Sequence, residues 1–180
     1  MKGFGGSNFL AGLDGVGLVF GFNFFIEIRY KTRIEMYHGS DVIHLSAKDF
    51  VCDDDSVRIK NRDLLGSFGI LKVYAPWCGA CRAVSETYSF LGRNLREHGL
   101  NVCVLNGDDS DNNEVIRGLN VSFFPSFYMI RADGLLDNIS DTDRSIEGLL
   151  QTICKKTREY AKDDMSKSKC CRKAGGRIIC

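Results

Sequence analysis

The chain is nearly without net charge: 24 lysines and arginines stand against 23 aspartates and glutamates in 180 residues, leaving +1 with the histidines neutral. That balance gives no ground for a nucleic-acid or polyanion partner. Also missing is an unbroken apolar run of the roughly 20 residues that a spanning helix needs. The most apolar stretch, Gly15 to Ile26, is shorter and contains Asn23. A secretory signal is poorly supported, because Lys2 is the only early cation, Asp14 interrupts the run and no Ala-x-Ala follows. A metal-binding framework is lacking as well. Of the eight cysteines only Cys78 and Cys81 form a Cys-x-x-Cys pair, and a structural zinc site needs four ligands. Neither Cys170, Cys171 and Cys180 nor His38, His44 and His98 supply a second pair at a recognisable spacing, so no metal is expected.

What is present points to one core. With 44% hydrophobic residues the chain can bury one core and hardly two, so one domain with tails is the default. Residues 1–37 read differently from the rest, with glycines alternating with large apolar side chains, Phe20, Phe22, Phe24 and Phe25 among them. We read them as an ordered arm whose stretches 25–30 and 33–37 pair as strands. An uncleaved anchor or divergent signal is the alternative, and with it membrane association through this segment. The far end, 161–180, is a basic tail carrying Cys170, Cys171 and Cys180. It reads as flexible with unpaired thiols or, more sharply, as a cross-linking point. Eight cysteines are many for a cytosolic protein, yet they lack the dense spacing of a secreted disulfide scaffold.

Between these ends the chain is organised around Ala75-Pro76-Trp77-Cys78-Gly79-Ala80-Cys81, directly after the apolar run Ile70 to Tyr74 and before a helical pattern. Strand, Cys-x-x-Cys, then helix is the context in which two cysteines do redox chemistry. A helix starting at Gly79 points its unpaired N–H groups at the Cys78 sulfur and favours the thiolate, making Cys78 the nucleophile. Cys81, one turn on, is placed to attack a mixed disulfide at Cys78 and resolve it. No cofactor is needed, because the two cysteines carry the two electrons.

The remaining elements follow in order. Val42 to Leu45 is a strand, and Ser46 with Asp49 caps a short helix carrying Phe50 and Val51. Cys52 to Asp63, polar and charged, reads as a loop. Val84, Tyr88, Leu91 and Leu95 mark one long helix behind the motif. Leu100 to Leu105 is a strand with Cys103 as a core thiol. Asp111 with Glu114 caps a third helix, and Ser126 to Arg131 is a strand turning at Asp133-Gly134. Ile146, Leu149, Leu150 and Ile153 close the domain on a helix whose Lys155, Lys156 and Arg158 suit its C-terminal end.

On these residues the chain resembles the thioredoxin superfamily, and Ala75-Pro76-Trp77-Cys78-Gly79 is most similar to its protein disulfide isomerase branch. A second motif supports the resemblance: Phe124-Pro125-Ser126 stands where the family carries a cis-proline loop facing the active-site sulfurs. Pro76 and Pro125 are the only prolines of the chain, and both fall on family positions. The resemblance implies an α/β thioredoxin fold, a central mixed sheet flanked by helices, over residues 38–160. It implies a thiol–disulfide oxidoreductase that forms, reduces or isomerises protein disulfides through Cys78 and Cys81. Trp77, Gly79, Ala80, Phe124 and Pro125 then line the place of the protein substrate. The rival reading is a structural component that uses the domain as a scaffold in a larger assembly, joined through residues 1–37 and the cysteine tail. A secretory, endoplasmic-reticulum-like compartment or such an assembly is preferred over free cytosol.

Three positions depart from the family pattern. Ala80 supplies no imidazole between the cysteines, so the direction of reaction stays open. Lys72 stands six residues before the nucleophile, where relatives usually bury an acid that relays a proton to the resolving cysteine. A desolvated amine with a lowered pKa passes a proton too, whereas a lysine that snorkels to the surface does nothing. Glu86 replaces a common helix-kinking proline, which leaves the shape of the active-site helix open.

Overall fold

A computed structural model describes residues 36–37, 40–53 and 56–163, together with the backbone of 172–174 and 177–179. Five strands form the central sheet: β1 (Ile43–Leu45), β4 (Gly69–Tyr74), β5 (Asn101–Asn106), β6 (Ser126–Ile130) and β7 (Leu136–Asn138), in the order β1-β5-β4-β6-β7. The pairs β1/β5 and β5/β4 are parallel, while β4/β6 and β6/β7 are antiparallel. Strand β4 is buried along its whole length, as a central strand covered on both faces must be.

Alternation along the strands sorts the core into two halves. Ile70 and Tyr74 of β4, Val102 and Val104 of β5, and Phe127 and Met129 of β6 share one face. They pack against helices α1 (Gly79–Ala83), α2 (Ser85–Leu95) and α4 (Ile146–Asp163), which contribute Cys81, Leu91, Leu149 and Ile153. Leu71, Val73, Cys103, Leu105, Tyr128 and Ile130 share the other. That second face is covered by Val115 of α3 (Asn113–Gly118) and by Phe50, Val57 and Ile59 of the antiparallel pair β2 (Phe50–Asp53) and β3 (Ser56–Ile59).

Several expectations need correction. Phe50 and Val51 lie on β2 and not on a helix, since the capped turn stops at Asp49; the Ser46/Asp49 capping box itself is present. The expected loop at 52–63 contains β3, whose Val57 and Ile59 alternate with exposed or half-buried Ser56 and Arg58. Charge density hides that period of two. The third helix is entered through a 3-10 turn capped by Asp109, whose carboxylate accepts from the Asp111 N–H, so Asp111 is inside the turn. The long active-site helix is broken at Val84, which sits at φ −102°, ψ 7°. The Ser85 hydroxyl donates to the Arg82 carbonyl at 2.7 Å, the kind of side-chain competition that bends a helix without proline. Helix α4 runs to Asp163, and beyond it the backbone of β8 (Arg172–Ala174) pairs antiparallel with that of β9 (Arg177–Ile179).

The expected strand pair at 25–30 and 33–37 falls outside the described residues except for Met36 and Tyr37, which form a turn. Tyr37, expected in the extension, is 3% exposed and belongs to the core of the first face. Cys170, Cys171 and Cys180 lie outside the described residues. Among the described residues no helix is long and apolar enough to cross a membrane.

Candidate functional site

Strand β4 ends at Tyr74, and the chain turns through Ala75, Pro76 and Trp77, with the Cys78 N–H closing the turn on the Ala75 carbonyl at 3.1 Å. Cys78 caps α1 in extended geometry, and its Sγ accepts the Cys81 N–H at 3.2 Å. The donor that a helix start leaves unpaired is thereby spent on the sulfur. Cys78 is 7% exposed and its thiol also reaches the Phe124 carbonyl at 3.5 Å. Both cysteines are free thiols. Arg82, one turn along, donates to the Pro76 and Trp77 carbonyls at 3.2 and 3.4 Å and ties the loop to the helix.

The rim is apolar. Trp77 is 61% exposed, its Nε1–H donates to Asp108 at 2.9 Å, and its ring meets Phe124 edge to face at 6.0 Å. Phe123 is also exposed, and Gly79 and Ala80 stand exposed beside the thiol. The Phe124–Pro125 peptide is cis, and the Ser126 hydroxyl holds the Phe123 carbonyl at 2.7 Å. Gly107, at the end of β5, leaves room for this loop: a Cβ there would lie 2.5 Å from the Phe124 ring.

Behind the cysteines lies Lys72. Period-two alternation puts it on the same face as Ile70 and Tyr74, under α1, and its side chain is fully buried. It does not snorkel. Nζ donates to the Cys81 carbonyl at 3.0 Å and sits 5.3 Å and 5.4 Å from the ring centres of Tyr37 and Tyr88. Burial pulls the Lys72 ammonium down to about 8, against the opposing pull of Cys81 and Cys78; Arg144 lowers it further. Cys81 is 0% exposed, and its thiol is raised, first by burial and then by its hydrogen bond with Cys78.

The structure brings together Lys72, Trp77, Cys78, Gly79, Ala80, Cys81, Phe124 and Pro125, all singled out from sequence. Four neighbours were not singled out: Tyr37, Arg82, Gly107 and Asp108. Arg82 looked like the polar side of a helix and Asp108 like one charge in an acidic run. Tyr37 and Gly107 carry no local signal, because each matters through a contact made across the fold.

The family model for thioredoxin matches residues 58–155. Among curated proteins the chain is similar to protein disulfide-isomerase C17H9.14c of Schizosaccharomyces pombe, 29% identical over 123 residues, or 66% of this chain and 31% of that protein. It is similar to protein disulfide-isomerase 1 of Dictyostelium discoideum, 29% identical over 104 residues, or 57% and 26% of the two chains. Sulfhydryl oxidase 1 of Cavia porcellus is 34% identical over 64 residues, or 34% and 10%. The chain therefore spans 10% to 31% of the length of these relatives. Among solved structures, the J-Trx1 fragment of ERdj5 superposes with a TM-score of 0.52 at 19% identity, covering 68% of this chain and 55% of that one. The Trx4 domain of ERdj5 gives 0.51 at 16% identity, covering 67% and 98%. These likenesses bear out the expected fold.

Proposed function

We propose, on the premise that this chain belongs to the thioredoxin family, that it is a thiol–disulfide oxidoreductase acting on protein disulfides, with Cys78 as nucleophile and Cys81 as resolving thiol. The observation that carries the reading is the Cys81 N–H on the Cys78 sulfur with a buried amine, Lys72, bonded to the same residue from behind. Family membership brings a thiol–disulfide oxidoreductase class; the roles of individual residues are our inference.

The Cys78 thiolate attacks one sulfur of a substrate disulfide, the S–S bond breaks, and the other substrate sulfur leaves as a thiolate that takes a proton. Cys81 then loses its proton to Lys72 and attacks the Cys78 sulfur. The mixed disulfide breaks, the Cys78–Cys81 bond forms, and the second substrate sulfur leaves. Two electrons have passed from the pair to the substrate. Run backwards, the same steps oxidise a substrate dithiol. An amine near 8 is unprotonated in about a tenth of molecules at pH 7, against about one in three thousand for an ordinary lysine. Trp77, Gly79, Ala80, Phe124 and Pro125 form the surface on which the substrate chain lies.

Replacing Cys81 by Ser should trap substrates as mixed disulfides at Cys78, while the intact chain reduces insulin. A Cys81→Ser chain that traps nothing, together with an intact chain inactive on insulin, would overturn the redox reading in favour of a scaffold.

A further inference from the structure

Lys72 is held by more than its hydrogen bond. Its Nζ lies between two tyrosine rings, 5.3 Å from the centre of Tyr37 and 5.4 Å from that of Tyr88, within the range where an aromatic face attracts a cation. Tyr88 is anchored by its own hydroxyl, whose single proton is shared between the carbonyls of Ile70 and Cys103 at 3.0 and 2.8 Å and so ties α2 to β4 and β5. Tyr37 is anchored by its ring. It packs edge to face on Tyr74 at 5.5 Å, on His44 at 5.9 Å and on Tyr88 at 6.3 Å. Its hydroxyl is the one buried side-chain nitrogen or oxygen among the described residues without a hydrogen-bond partner.

An orphaned buried hydroxyl costs about 1–3 kcal/mol, so a tyrosine here is not accounted for by polar pairing. What the position uses is the ring. Burial holds the phenol well above its ordinary range, so it stays neutral and adds no charge beside the amine. Tyr37 also lies outside residues 58–155, so the thioredoxin match does not account for it.

We propose that Tyr37 is a positioning residue for Lys72: its ring and that of Tyr88 clamp the ammonium and set the pH at which Lys72 exchanges a proton behind Cys81. The proposal rests on the redox reading for its functional consequence, but the clamp stands on geometry alone. Burial disfavours the ammonium, and the clamp opposes burial. The other groups facing Lys72 are Cys81 and Cys78 from α1, which favour the ammonium, and Arg144 from the segment before α4, which disfavours it. A residue at the margin of the family domain thus tunes the proton relay at its centre.

The test is an NMR titration of the Lys72 side chain in the full-length chain, read at its Cε and Nζ, beside the pH profile of mixed-disulfide resolution. Tyr37→Phe keeps the ring and should leave the Lys72 midpoint in place. Tyr37→Leu removes the ring and should lower the midpoint by about one and a half pH units, the size of a desolvated cation–aromatic contact. A midpoint that stays or rises in Tyr37→Leu overturns the clamp. Should Tyr37→Leu fail to fold, phenylalanines of increasing ring fluorination at position 37 keep the shape while draining the negative face. The midpoint should then fall stepwise, and a flat series overturns the clamp. A midpoint that falls in the titration while the resolution profile stays fixed upholds the clamp and overturns the relay role of Lys72.

Discussion

Cys81 and Cys103 are both 0% exposed, and they lie on opposite faces of the same sheet. Burial raises both thiols, and Cys103 is pushed up to about 12. Their surroundings differ. Cys103 belongs to a face of Leu71, Val73, Leu105 and Ile130, and the one other influence on it, Asp49, raises it further. Cys81 follows Cys78 by one helical turn and is touched from behind by an amine whose charge pulls the thiol down. Burial alone makes a thiol inert. In the proposed mechanism the face that desolvates Cys81 also buries Lys72, the group that takes its proton.

The widest separation between the two should come from removing each. Cys81→Ala should abolish turnover in an insulin-reduction assay while the chain stays folded. Cys103→Ala should leave turnover near its starting value and cost about 1–2 kcal/mol in a urea unfolding curve, through a small cavity. Loss of turnover in Cys103→Ala would break the contrast.

Converting the Cys81 face toward the Cys103 face is the next step. Lys72→Met should slow mixed-disulfide resolution at pH 7 by about a hundredfold, as expected when a positioned proton acceptor is lost. The same change should stabilise the fold. The Lys72 pKa is lowered from 10.5 to about 8, so the unfolded chain binds the extra proton between those values and wild-type stability carries a penalty below them. That penalty is about 3 kcal/mol, and losing the bond to the Cys81 carbonyl returns about 1 kcal/mol of it. The net gain of about 2 kcal/mol for Lys72→Met should be fully present below pH 8, should shrink through zero as pH approaches 10.5, and should become a loss of about 1 kcal/mol above it. Paired unfolding curves at pH 7 and pH 10.5 read it directly, and equal differences at both pH values would contradict the assignment.

Gly107→Ala presses from beside the site, where the added methyl meets the Phe124 ring. It should cost about 1–3 kcal/mol in thermal or urea unfolding by overpacking, and it should weaken substrate capture through the displaced Phe124-Pro125 loop. Smallest of all, Asp108→Ala frees the exposed Trp77 indole. A change of a few fold in the KM for insulin, with kcat held, is the expected outcome.

Much of this was legible in local pattern. The five residues Ile70 to Tyr74 before the motif indicated a central strand, Val84 to Leu95 an amphipathic helix, and Cys78-Gly79-Ala80-Cys81 the placement of two sulfurs one turn apart. Those features survive because strands and helices are written in periods of two and 3.6. Less legible were the β2–β3 hairpin, whose charges mask its alternation, and the break at Val84, which depends on a serine choosing a carbonyl over solvent.

By itself, then, the sequence determined the strand, Cys-x-x-Cys and helix around Cys78 and Cys81 and the spacing of the two sulfurs, because each is set by residues adjacent along the chain. Whether Lys72 is buried or snorkels was beyond it, since that depends on what α1, α2 and Tyr37 leave open above β4. Only the tertiary structure decided that question, and with it the rings about the amine, the Trp77–Asp108 bond and the room that Gly107 leaves for Phe124. The reason is one of distance along the chain: Tyr37 and Lys72 are far apart in sequence, and no local periodicity can register a contact that exists only once the sheet is covered.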